Sequence, residues 1–289
     1  MKRVVKEKSL TIQNNGVVQF AKLQLGITDK FLKREAVDWL NTAEKHLKNK
    51  AYPEAIDACD KAIEIRPNEA MAYRYCGIAR MLIGDIPDAL EDFADAILLA
   101  PKEVETYMER GCLYYEIKEY KKAVADFSKI LKIDASHEKA YYSRGYALYD
   151  LEDYEGAIAD FDKALELNPT NLDAWYNRGY TKFDMDDFRG AIADFTETLK
   201  LCPTHINAYA NRGEARYQLA HLRGAIADFS MVIQFDPDAS NSWYNRGVAQ
   251  SDLMDYQAAL ADLETARKKG HPAAKKAIDK INSSLEMVL

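Results

Sequence analysis

Arginine recurs at Arg110, Arg144, Arg178, Arg212 and Arg246, and aspartate at Asp92, Asp126, Asp160, Asp194, Asp228 and Asp262, each series on a 34-residue step. Two rows of opposite charge on one period can do two kinds of chemistry. They can pair with each other through charge-assisted, bidentate hydrogen bonds, or the arginines can form a ladder that grips an acidic ligand. Pairing each aspartate with the arginine that follows it, as 92–110, 126–144, 160–178, 194–212 and 228–246, fits every case. In that phase uncharged Ala58 faces uncharged Cys76. The expectation is therefore a set of ion pairs stitching successive periods together. Losing one partner of such a pair costs about 3–5 kcal/mol if it is buried and about 0–1 kcal/mol if it is exposed.

Little else in the chain offers reactivity. His46, His137, His205, His221 and His271 show no metal spacing, and there is no nucleophile elbow or phosphate loop. Cys59, Cys76, Cys112 and Cys202 form neither a C-x-x-C site nor a disulfide framework, and are expected as small buried thiols. No catalytic constellation, metal site or cofactor motif is read. A formal net charge of −7 argues against nucleic acid, whose affinity comes from Lys and Arg displacing counterions, and favours basic partners. Apolar runs are too short to span a membrane. The start, MKRVVKEKSL, carries charge where a signal peptide needs an apolar stretch, so a cytoplasmic protein is expected.

The elements that position these residues follow the same period. Gly77, Gly111, Gly145, Gly179, Gly213 and Gly247 recur at 34 residues, in step with Ala55, Ala89, Ala123, Ala157, Ala191, Ala225 and Ala259. Pro67, Pro101, Pro169, Pro203 and Pro237 form a third series. Numbering each unit from Ala36 gives seven repeats: 36–69, 70–103, 104–137, 138–171, 172–205, 206–239 and 240–273. Each holds two helical patterns. Helix A carries an aromatic at position 4 (Trp39, Tyr73, Tyr107, Tyr141, Trp175, Tyr209, Trp243), with glycine at position 8 on the same face. Helix B carries alanine at position 20 and, in the five central repeats, Phe93, Phe127, Phe161, Phe195 and Phe229 at position 24. A helical glycine costs about 1 kcal/mol against alanine, so six at one position imply close helix–helix approach. Proline near position 32 ends helix B.

This pattern resembles the tetratricopeptide repeat over residues 36–273. The resemblance implies an all-α fold, a right-handed superhelical α–α solenoid of seven helical hairpins. Repeat 1 departs with Ala43 in the glycine slot, and repeat 7 with Leu263 and a displaced Pro272. Residues 274–289 form a capping helix, with Ala274, Ile278, Ile281, Leu285 and Val288 on one stripe. Residues 1–35 lie outside the period, and SLTIQNNGVVQFAKL permits either a hairpin or a short helix over 17–25.

The resemblance also implies that helices A line the concave surface through positions 2, 5, 6, 9, 12 and 13. In repeats 1 and 2 those positions are apolar, including Val37, Leu40, Met71, Tyr75, Ile78 and Leu82. The N-terminal extension is expected to cover that mouth. Further on the lining turns aromatic and acidic: Tyr142, Tyr146, Tyr149, Asp150, Tyr176, Tyr180 and Asp184, then Tyr244. Asn177, Asn211 and Asn245 share position 6, where an amide can donate to and accept from a peptide backbone. A carboxylate clamp of the co-chaperone type fails, because Glu109 stands where the clamp needs a group that tolerates a terminal carboxylate. The function expected is a non-enzymatic adaptor that binds a basic or mixed basic–apolar protein segment. The alternatives are a self-assembling module joined through the N-terminal segment or end repeats, and a chaperone-like holder of clients.

Overall fold

The computed structural model describes residues 29–286, which form fifteen α-helices and, among the described residues, no strand. The N-terminal hairpin-or-helix expectation over 1–28, and Val288 in the cap, lie outside the described residues. The chain divides into two compact units, Met1–Ile117 and Lys118–Leu289.

The first unit contains α1 (Asp29–Lys48), α2 (Tyr52–Ile65), α3 (Ala70–Ile83), α4 (Ile86–Leu99) and α5 (Val104–Glu116). Its first helix starts at Asp29, ahead of the repeat boundary at Ala36. The second unit contains α6 (Tyr120–Ile133), α7 (Glu138–Tyr149), α8 (Tyr154–Leu167), α9 (Leu172–Asp184), α10 (Phe188–Leu201), α11 (Ile206–Gln218), α12 (Leu222–Phe235), α13 (Ser240–Asp252), α14 (Tyr256–Lys268) and α15 (Ala274–Glu286). From α7 to α14 these alternate as helix A and helix B of repeats 4 to 7. Sequence neighbours pack on each other. In addition α7 touches α9, α9 touches α11 and α11 touches α13, whereas no helix B of this unit reaches the next helix B. Helices A thus line up as one continuous wall.

The core explains the period. Every position-20 alanine is fully buried, and Phe93, Phe127, Phe161, Phe195 and Phe229 are at most 1 % exposed. The glycines are what let these rings in. A Cβ on Gly77 would lie 2.8 Å from Phe93, on Gly145 3.0 Å from Phe161 and on Gly213 2.8 Å from Phe229. Repeat 1 solves the same problem with the opposite volumes: Ala43 packs in one buried cluster with the small Cys59. A larger residue on helix A is balanced by a smaller one on helix B, which keeps the hairpin closed at constant volume.

The position-4 aromatic and the position-32 proline are likewise one device. Trp175 Nε1 donates to the Pro169 carbonyl and Trp243 Nε1 to that of Pro237, both at 2.9 Å. Tyr73 and Tyr107 donate their hydroxyls to the carbonyls of Pro67 and Pro101 at 3.1 and 3.3 Å. Each bond ties the turn that follows one helix B to the first turn of the next helix A. At the C-terminal end, Ile278 and Ile281 of α15 are buried against Ala259 and Leu263, with Lys275, Lys276, Asp279 and Lys280 exposed. These contacts set the apolar face of α15 against the last hairpin.

Candidate functional site

The charged rows pair, but in a different phase from the one expected. Arg144 holds Asp160 through Nε and Nη2 at 2.6 and 2.7 Å. Arg178 holds Asp194, Arg212 holds Asp228 and Arg246 holds Asp262 in the same bidentate way. Every one of these pairs lies within a repeat, so the proposed pairs 126–144, 160–178, 194–212 and 228–246 are corrected. The physical reason is the hairpin turn. Position 15 is left-handed in Lys50, Lys118, Glu152, Asp186, Ala220 and Met254, and in Gly84. An antiparallel hairpin folded about position 15 brings position 7 against position 23 of the same repeat. Stitching between repeats does occur, through the third nitrogen. Nη1 of Arg144, Arg178, Arg212 and Arg246 reaches Ser128, Asp162, Thr196 and Ser230 of the preceding repeat at 2.5–3.1 Å.

The pair 92–110 is corrected as well. Asp92 lies on the same hairpin as Cys76, and Arg80, one helical turn beyond Cys76, supplies its cation at 2.5 Å. Lys182 and Arg216 occupy the equivalent place and add a second cation to Asp194 and Asp228 at 2.8 and 2.7 Å. These three cations were missed because only two of them share a residue type. Their common position 11 was the available signal. Asp92 has a single guanidinium contact, and burial pushes its carboxyl up to about 7 against the pull of Arg80.

The arginines are thus occupied with aspartates and with the position-4 rings, since Arg178 lies over Trp175 at 4.7 Å and Arg246 over Trp243 at 4.9 Å. A ladder gripping an acidic ligand is not available in this geometry. Among the cysteines, Cys59 and Cys76 are buried, and the Cys76 thiol is pushed up by its hydrogen bond with Cys59 and by burial. Cys112 is exposed and Cys202 partly so, contrary to expectation. Two histidines have structural work: Nδ1 of His137 and of His205 accepts from the backbone N–H of Ala140 and Ala208, capping α7 and α11.

The A-helix wall of the second unit carries the candidate site. Tyr146 and Tyr149 of α7 meet Tyr176, Asn177 and Tyr180 of α9 around a cleft of about 170 Å³. Tyr146 and Tyr180 are 39 % and 38 % exposed. Tyr176 stacks on Tyr180 at 6.4 Å, and Tyr149 meets Tyr180 edge-on at 5.9 Å. The Tyr149 hydroxyl donates to Asp184 at 2.6 Å, as Tyr217 does to Asp252. Burial, reinforced by that carboxylate, raises the Tyr149 phenol. Burial lifts Tyr142 to about 12 and raises Tyr176. Burial thus favours the neutral phenol at Tyr142, Tyr149 and Tyr176.

The asparagine row is partly committed to the wall itself. Nδ2 of Asn177 donates to the Tyr142 hydroxyl and Nδ2 of Asn211 to that of Tyr176, both at 3.0 Å. Repeat 6 has Ala210 where a tyrosine would serve, and Asn245 turns to Glu214 at 3.2 Å. The expected two-sided amide contact with a peptide is thereby reduced to the carbonyl side. Asp150 is the C-cap residue of α7. Tyr244 does not line the cleft: it stacks on His271 with ring centroids 4.0 Å apart.

In the first unit, Arg74 donates to Glu109 at 2.7 and 2.9 Å and reaches Glu103 at 3.3 Å. The one arginine that could serve a carboxylate clamp is already neutralised. Val37 and Leu82 are exposed there, at 42 % and 48 %, whereas Leu40 is buried. Among the described residues no helix is long and apolar enough to cross a membrane.

Stacked two-helix hairpins on one period, with a polar-aromatic wall and a cap, define an interaction scaffold of the helical-repeat class. The family description "TPR repeat" matches residues 145–186, and "Tetratricopeptide repeat" matches 104–137 and 172–205. The chain is similar in structure to YrrB, a TPR protein with an unusual peptide-binding site, at 26 % identity and TM-score 0.60, covering 65 % of this chain and 98 % of that one. It is also similar to a tetratricopeptide repeat protein from Parabacteroides merdae, at 20 % identity and TM-score 0.60, covering 86 % of this chain and 97 % of that one. The C-terminal part of a TPR repeat-containing protein from Cytophaga hutchinsonii aligns at 18 % identity and TM-score 0.69, covering 83 % and 98 %. The last two show the fold alone. A comparison with curated proteins by sequence found no match. Residues 104–137 and 145–205 thus match tetratricopeptide-repeat models, and the helical-hairpin fold is shared with solved tetratricopeptide-repeat proteins.

Proposed function

We propose that this chain is a cytoplasmic adaptor without catalytic activity that holds a segment of a partner protein along the A-helix wall of its second unit. The observation that carries the reading is the cleft between α7 and α9, where partly exposed tyrosines from two successive repeats converge. Tyrosine supplies large contact area and is typical of interface anchors. The wall positions of repeats 4 to 7 hold Asp150, Asp173, Asp184, Glu214 and Asp252 against the single base Lys139, which favours a basic or mixed basic–apolar segment. Similarity to YrrB supports a peptide ligand in particular.

Affinity capture from native lysate with wild type and with Tyr180→Ala/Asn211→Ala tests the reading. A partner retained by wild type and lost by the variant is expected. A partner retained equally by both removes it. Light scattering across concentrations separates self-assembly, which predicts growth in mass with concentration.

A further inference from the structure

The cleft is small and one-sided in its chemistry. At about 170 Å³ it falls below the roughly 300 Å³ at which small-molecule pockets begin, so it takes one side chain of a larger ligand. Two of the donors around it are spent. Asn177 Nδ2 is bonded to Tyr142, and the Tyr149 hydroxyl is bonded to Asp184. Among the described residues Asn177 Oδ1 accepts no hydrogen bond, and no Lys, Arg or His lines the cleft. The cleft presents ring faces set at different angles, an amide carbonyl and, bonded to the Tyr149 hydroxyl, the Asp184 carboxylate.

We infer that this cleft is a recognition pocket for the guanidinium group of an arginine in the partner segment, a deepening that rests on the adaptor reading above. A guanidinium is planar, stacks on aromatic faces and carries several N–H donors round its rim. Those donors match the Asn177 carbonyl and the Asp184 carboxylate. An aliphatic side chain would cover these acceptors without a partner. A lysine ammonium is more strongly hydrated and cannot lie flat against a ring. An acidic side chain would meet Asp184. The excess of carboxylates along the wall steers a cation toward the same place.

Random linear peptides displayed on phage are selected on the full chain, and the enriched sequences are synthesised with arginine or with citrulline, its neutral isostere. The expected result is an arginine in the enriched peptides whose change to citrulline weakens binding about tenfold. Tyr180→Ala should weaken the arginine peptide to the same extent, after which citrulline should make no further difference. Tyr180→Phe, which keeps the ring face, should retain most of the affinity. Enriched peptides that lose affinity in Tyr180→Ala but are indifferent to citrulline overturn the arginine pocket and leave the adaptor reading standing. Peptides indifferent to both changes, or no enrichment at all, overturn the two together.

Discussion

Arg178 and Asp194 are joined by two parallel hydrogen bonds, Nε to Oδ2 at 2.8 Å and Nη2 to Oδ1 at 2.6 Å, while Nη1 of the same guanidinium reaches Asp162 of the preceding repeat at 2.5 Å. One side chain therefore closes its own hairpin and ties it to the one before. The Asp194 side chain is 3 % exposed and that of Arg178 14 %, so neither is rescued by water. Arg178→Ala strands the buried carboxylate with Lys182 alone, and is expected to lower stability by about 3–5 kcal/mol in urea denaturation. Replacing both partners with leucine and methionine should cost clearly less. Lys163→Ala, which breaks an exposed pair with Glu166, should change stability by about 0–1 kcal/mol.

Asp92 behaves differently because repeat 2 has Cys76 where repeats 3 to 7 have arginine. Its folded-state value of about 7 lies above the ordinary 3.8, so the folded protein binds this proton more tightly than the unfolded chain. Stability from this site is then lowest at pH 8 and rises as pH falls through 7 toward 4. Asp92→Asn should remove that slope, melting higher than wild type at pH 8, with the gap closing as pH falls toward 4. A melting-temperature series across this range checks the sign.

The glycine–phenylalanine contact makes a prediction with a built-in rescue. Gly213→Ala gains about 1 kcal/mol of helix propensity but puts a methyl 2.8 Å from Phe229. Overpacking of this kind costs about 1–3 kcal/mol, so net destabilisation is expected. In Phe229→Cys, which copies the Ala43–Cys59 arrangement of repeat 1, the added alanine should cost less than in wild type. A double-mutant cycle by chemical denaturation measures that coupling.

Left-handed turn residues offer a gain. Ala220 has φ 56° and is exposed, a conformation costing about 1–2 kcal/mol for a residue with a Cβ. Gly84 fills the same slot in repeat 2. Ala220→Gly is expected to stabilise by about 0.5–1 kcal/mol after the added freedom of the unfolded chain is subtracted, read as a higher urea midpoint.

How much of this was legible in the sequence depends on which contacts a one-dimensional period can encode. Glycine at 8, alanine at 20 and phenylalanine at 24 declare a helical hairpin, because each recurs at a position whose burial leaves one residue type. The charged rows declared that they pair, but not in which phase, since a 34-residue period permits the partner behind as readily as the partner ahead. The phase is set at position 15, whose occupants Lys118, Glu152, Asp186, Ala220 and Met254 share a backbone angle and no chemistry. Nothing in their side chains announces it. Asp92 misled for a related reason: its cation comes from Arg80, one turn past the slot that repeat 2 leaves uncharged. At the candidate site the tyrosines were legible as a row. Their convergence with Asn177 on one cleft, and the use of asparagine donors by Tyr142 and Tyr176, depend on how adjacent helices A lie together.

If the adaptor reading holds, the tyrosine cleft, and not the helix-B face, meets the partner. A photo-reactive benzoylphenylalanine placed at Tyr180 and, separately, at exposed Lys163 on α8 tests it by cross-linking in native lysate. A discrete protein adduct from position 180 and none from position 163 is the expected result. An adduct from position 163 with none from position 180 would contradict it.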